Sequence, residues 1–132
     1  MIGLDTNVLV RYFTGDDAVQ SEQARSLIEG RLSADEPGYV NLVVLAEFVW
    51  TLARAYRFGN SDISNAVNAL LDSTEIVVER EETVTRALGL VATANLDLVD
   101  ALIASINMDA GCRETLTFDV RFAKSHAARL VG

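Results

Sequence analysis

Short apolar segments alternate with longer stretches of helical periodicity along this chain, and that alternation restricts it to a small set of folds. Residues 1–4, 36–41 ("EPGYVN"), 74–79 ("TEIVVE") and 114–118 ("ETLTF") read as strands, with a last strand near Leu130. Helices are expected from Asn7 to Phe13, stopped at Gly15, and from a cap at Asp16 or Asp17 to Leu32, with Ala24, Leu27, Ile28 and Leu32 at core spacing. Further helices are expected over 42–57, over 61–72 with Ser61 or Asp62 as cap, over 80–94, and from Val99 to Ala110, ending at Gly111. A short helix follows the fourth strand. Strands separated by helices build βαβ units, hence a mostly parallel sheet covered on both faces. No linker or repeat interrupts the pattern, so residues 1–132 are read as a single domain.

Half of the residues are hydrophobic and one is Pro, as in an ordered globular protein. No run approaches the roughly 18–20 apolar residues that span a bilayer, and the start shows no secretory pattern. Cys112 is the sole cysteine, which excludes an internal disulfide and fits a reducing cytoplasm. Nineteen acids against eleven bases give a formal charge of −8. Passive nucleic-acid binding draws its affinity from Lys and Arg, so that class is disfavoured. A nuclease whose carboxylates are neutralised by divalent metal is not. Ten of the eleven bases are Arg, suited to forked contacts with carboxylate or phosphate.

Four acids stand out against this background. In open α/β sheets ligands bind beyond the carboxyl ends of the strands, and Asp5 and Asp119 end the first and fourth strands. Either also serves as a helix cap. Asp100 lies in the first turn of its helix, where a carboxylate meets the positive end of the dipole. Asp97, one turn earlier, either joins the cluster or caps the helix. Glu47 lies within "NLVVLAEFVWTLA", with Val43, Val44, Trp50 and Thr51 one turn away, and burial there is costly unless the carboxylate is paired or bound to metal. Converging carboxylates repel one another and call for a cation. Oxygen ligands without His or Cys suit Mg²⁺ or Mn²⁺, which promote phosphodiester hydrolysis.

Asp5-Thr6-Asn7 after a strand, Glu47 in "LAEFVW", Asp100 in "LVDALIA" and "TFDVRF" together resemble the PIN domain, and within it the VapC-type toxin ribonucleases of toxin–antitoxin pairs. The resemblance runs over essentially the whole chain. It implies a three-layer α/β/α sandwich with a central, mostly parallel sheet of four to five strands. It also implies Mg²⁺- or Mn²⁺-dependent endoribonuclease activity, a homodimer, and a VapB-like antitoxin that covers the site. By position, Asp5, Glu47, Asp100 and Asp119 are the acidic quartet, with Asp5 and Asp100 as the foremost direct metal ligands. Thr6, Asn7 and Thr117 fall where the family places supporting polar groups.

The remaining features have simpler expectations. His126 and Cys112 have no partners for acyl-transfer chemistry and are read as bystanders. "EREE" is a solvated first turn, with Glu82 facing Arg86 one turn on. Tyr12, Phe13, Trp50, Tyr56 and Phe58 either fill the core or line a groove for an amphipathic partner helix. Arg11, Arg54, Arg57 and Arg121 are candidates for phosphate contact. Two other functions remain: a PIN nuclease that processes RNA without toxicity, and an Mg²⁺-binding phospho-acceptor signalling domain. The latter needs a Lys near a later strand end, and the sole Lys, Lys124, lies in a helical segment instead.

Overall fold

The computed structural model describes residues 1–132, which divide into two compact units, Met1–Glu79 and Arg80–Gly132. In the first unit, β1 (Ile2–Gly3) leads into α1 (Thr6–Thr14) and α2 (Ala18–Arg25), and α2 continues as a π-helical segment, Ser26–Arg31. Then follow β2 (Gly38–Val40), α3 (Leu42–Ala55), α4 (Asn60–Asp72) and β3 (Ile76–Val78). The three strands form one parallel sheet in the order β1-β2-β3, with Ile2 opposite Gly38 and Val40 opposite Val78. Parallel neighbours require crossovers, and the two helix pairs supply them.

The helix ends follow local chemistry. Asp17 caps α2, its Oδ1 accepting from the Gln20 N–H at 2.9 Å. Gly15 closes α1 in the left-handed conformation (φ 67°), which glycine adopts without a Cβ penalty. Asn41 caps α3 through the Val44 N–H at 2.8 Å. Gly59, not Ser61 or Asp62, stands at the N-cap of α4. Asp62 instead reaches back from the first turn toward the Gly59 N–H. The core of this unit is drawn from the inward stripe of each helix: Leu9 and Val10 of α1, Leu45, Phe48 and Leu52 of α3, and Ile63, Val67 and Leu70 of α4, with Val40 and Val78 from the sheet.

In the second unit, α5 (Glu81–Ala94) packs on α6 (Leu98–Asp109). Val84, Ala87, Ala101, Leu102 and Ser105 are buried. The Glu82–Arg86 pairing does not form. Arg86 turns instead to Asp109 on α6, whose carboxylate also accepts from the Thr83 hydroxyl at 2.6 Å. β4 (Leu116–Thr117), α7 (Val120–Lys124) and β5 (Arg129–Leu130) complete the unit, and β4 and β5 pair in parallel. Five parallel strands thus occur in two ladders, each strand only two or three residues long. The broader apolar segments that flank them lie outside the hydrogen-bonded ladders.

Candidate active site

Each unit positions one set of the predicted acids. In the first, Asp5 leaves β1 in extended conformation and caps α1, its Oδ1 accepting from the Thr6 N–H at 2.8 Å. Its carboxylate therefore sits at the positive end of the helix dipole, where negative charge is favoured. The adjacent Thr6 is buried, and its hydroxyl donates to Oε1 of Glu47 on α3. A side chain from the first turn of α1 and one from the second crossover are thereby held together.

Glu47 itself is exposed, contrary to its apolar neighbourhood in sequence. Helical periodicity explains the difference. Leu45, Phe48, Val49 and Leu52 form the buried face of α3, whereas Val43, Glu47, Trp50 and Arg54 lie on an outward stripe. The apolar residues beside Glu47 are largely solvent-facing, with Val43 at 78 % and Trp50 at 56 % exposure. Arg54 makes no ion pair with Glu47 and lies over the Trp50 ring, 5.6 Å from its centroid.

In the second unit, Asp97 caps α6 through the N–H groups of Val99 (2.8 Å) and Asp100 (3.2 Å). Asp100 follows in the first turn, half-buried. Asp119 ends the loop after β4 and caps α7, with Oδ1 accepting from Arg121 at 2.9 Å and Phe122 at 3.3 Å. Its own N–H donates to Thr117 Oγ1 at 2.9 Å, and the buried Phe122 anchors the short helix behind it. Burial raises the pKa of Asp100 from its ordinary value, and the negative charges of Asp97 and Asp119 raise it further. Asp97, for which the sequence left cap and cluster member open, is a cap and also a charge beside Asp100.

None of Asp5, Glu47, Asp100 and Asp119 forms a salt bridge, although ten Arg are present. Arg11 is engaged by Asp16 at 2.9 Å, while Arg57 and Arg121 are exposed without ion pairs. In neither unit do three or more His, Cys, Asp or Glu side chains form a ready-made metal cage. The donor set is nonetheless all oxygen, and the mutual repulsion at Asp100 is the condition that a hard divalent cation relieves. In chemical type, the residues fit Mg²⁺ or Mn²⁺. Asn7 is exposed and lines a pocket between α1 and α2. His126 and Cys112 are also exposed, on the border of a different cavity of the second unit.

A VapC ribonuclease of Aquifex aeolicus (strain VF5) is 26% identical over 121 residues, covering 92% of this chain and 89% of that protein. The PIN domain family matches residues 2–126, a span that includes most of both units. The chain therefore belongs to the PIN-domain family, whose fold class is three-layer α/β/α.

Proposed function

We propose that the chain is a divalent-metal-dependent endoribonuclease and the toxin of a VapBC-like toxin–antitoxin pair, its residues 1–132 acting as one PIN nuclease domain. The observation that carries this reading is Asp100, half-buried, without an ion pair and beside the negative charges of Asp97 and Asp119. A desolvated carboxylate among like charges in a chain of charge −8 favours a cation from outside, and RNA calls for the same cation.

Asp5, Glu47, Asp100 and Asp119 would hold the metal, with Asp5 and Asp100 as the principal ligands. Bound Mg²⁺ or Mn²⁺ supplies Lewis-acid polarisation of the scissile phosphate and a lower pKa for the attacking water. The chain's own task is orientation. Thr6 fixes one Glu47 oxygen, Asp5 is held at the start of α1, and the Thr117 hydroxyl fixes the turn that presents Asp119. Attack of water on phosphorus with loss of the 3′-oxygen leaves 5′-phosphate and 3′-hydroxyl ends.

A VapB-like antitoxin and a homodimer belong to the same proposal. Tyr12 and Phe13 are half-buried and border a cavity of about 300 Å³ with Ile28, Leu70 and Ile76. Glu29 and Glu75 line it too, so it suits a partner segment that combines apolar and basic side chains. Phe118, 84 % exposed, stands with Leu116 and Val120 as apolar surface of the second unit. No helix is long and apolar enough to cross a membrane, and a cytoplasmic location is part of the proposal.

The test is incubation of the purified, antitoxin-free chain with pooled tRNA and rRNA in Mg²⁺, in Mn²⁺ and in EDTA. Cleavage in both metals and none in EDTA is the expected outcome. Equal cleavage in EDTA, or none in either metal from folded protein, would contradict the proposal.

A further inference from the structure

One turn from Asp5, α1 and α2 enclose a pocket of about 250 Å³ that the reading above leaves unused. Its lining combines polar side chains, Asn7 and Arg11 from α1 with Gln20 and Gln23 from α2, and apolar ones, Val8, Ala24 and Leu27. Helical spacing creates this composition, because Gln20, Gln23, Ala24 and Leu27 lie at i, i+3, i+4 and i+7 of one face. The volume falls below the roughly 300–1,000 Å³ of pockets for drug-sized ligands and suits one planar ring system.

The hydrogen-bonding capacity of the walls is only partly used. Arg11 donates through Nε to Gln20 Oε1 at 2.8 Å and through a terminal nitrogen to Asp16 at 2.9 Å. That contact turns the Gln20 amide so that its NH₂ group remains a free donor. The side-chain amides of Asn7 and Gln23 have no partner within the protein, and Gln23 is exposed on a helix that its truncation leaves intact. A free carboxamide offers one donor and one acceptor side by side, which matches the N6 and N7 edge of adenine. Arg11, the residue type that reads guanine, is already committed. Apolar side chains beside free carboxamides, with the one cation engaged by Asp16, are the chemistry of a base site.

We propose that this pocket takes an unpaired adenine of the RNA substrate, an inference that rests on the ribonuclease reading for its biological meaning. The base has to be splayed from its helix, because the deep, narrow major groove of duplex RNA hides the N6 and N7 edge from side chains. Gln23 is then a specificity residue.

The experiment uses the native chain and Gln23→Ala, with adenosine and with ribose as probes, read by NMR of the side-chain amides. Adenosine should shift the NH₂ signals of Asn7, Gln20 and Gln23 where ribose does not, and Gln23→Ala should weaken adenosine binding about tenfold. Unmoved amides, equal shifts with ribose, or unchanged adenosine affinity in Gln23→Ala would overturn the proposal. Adenosine carries no phosphodiester, so the two readings fail separately. A chain that binds adenosine through Gln23 but cuts no RNA contradicts the nuclease; a chain that cuts RNA while Gln23→Ala binds adenosine unchanged contradicts the pocket.

Discussion

The hydroxyl of Thr6 shows how one buried polar atom sets up a surface carboxylate. An exposed Glu on a helix samples many rotamers, and a donor fixed in the core selects among them. Replacing Thr6 by Val keeps the shape and removes the donor. Cleavage by Thr6→Val should fall about 10- to 100-fold in kcat/KM while Thr6→Ser retains most activity. Native-like rates from Thr6→Val would remove Glu47 orientation from the account. Asp109 offers a test free of the active site. Its pKa is lowered, first by the Thr83 hydroxyl and then by Arg86, so its carboxylate favours the folded state. A folded pKa below the unfolded one means that this contribution is complete above about pH 4 and is lost as pH falls through the depressed value. Asp109→Asn should therefore be less stable than the native chain to urea at neutral pH, with the gap closing on acidification. A gap that persists in acid would mean that packing, not charge, explains the loss. At this scale the sequence was readable for Asp5 and Asp119, whose place after strands announces the helix caps that they form. It misled at Glu47, because a run of apolar letters does not say which face of a helix is buried. Only the i, i+4, i+7 spacing of Val43, Glu47 and Trp50 carries that information. The unpaired amide of Gln23 was invisible for a different reason: nothing in α2 alone reveals what α1 places opposite it.

Among the elements, the central strand β2 sets the tightest constraint. A Cβ built on Gly38 would lie 2.7 Å from Leu4 Cδ1 and 2.9 Å from Leu32 Cδ1, closer than packed carbon atoms approach. Both leucines are buried and have little room to yield. Gly38→Val should cost about 1–3 kcal/mol, measured as a lower denaturant midpoint with an unchanged slope. An unaltered midpoint would show that the leucines re-pack freely. The order and type of the elements followed from apolar periodicity, and the helices lie close to their expected bounds. Strand lengths were overestimated because β-branched residues mark a buried segment, while ladder length depends on partners far away in sequence. The π-helical turn after α2 and the glycine cap of α4 also had no local signal. Both depend on how the chain leaves or enters the packed layer.

For the whole molecule, the excess of acid is the property that the account has to explain. A protein of charge −8 meets RNA against electrostatic repulsion unless cations intervene. The family match extends over residues 2–126, and the four proposed site acids fall two in each of the compact units. The central claim is that metal-dependent cleavage needs every one of the four, although the number of acids in a chain says nothing of their cooperation. The decisive measurement is single-turnover RNA cleavage in Mg²⁺ by Asp5→Asn, Glu47→Gln, Asp100→Asn and Asp119→Asn, each shown to be folded by circular dichroism. Each substitution removes a charge while nearly conserving volume, so a structural role alone predicts modest effects. The account predicts that every variant loses at least about 100-fold in rate, as expected for members of one catalytic unit. Native-rate cleavage by any one of the four would contradict it.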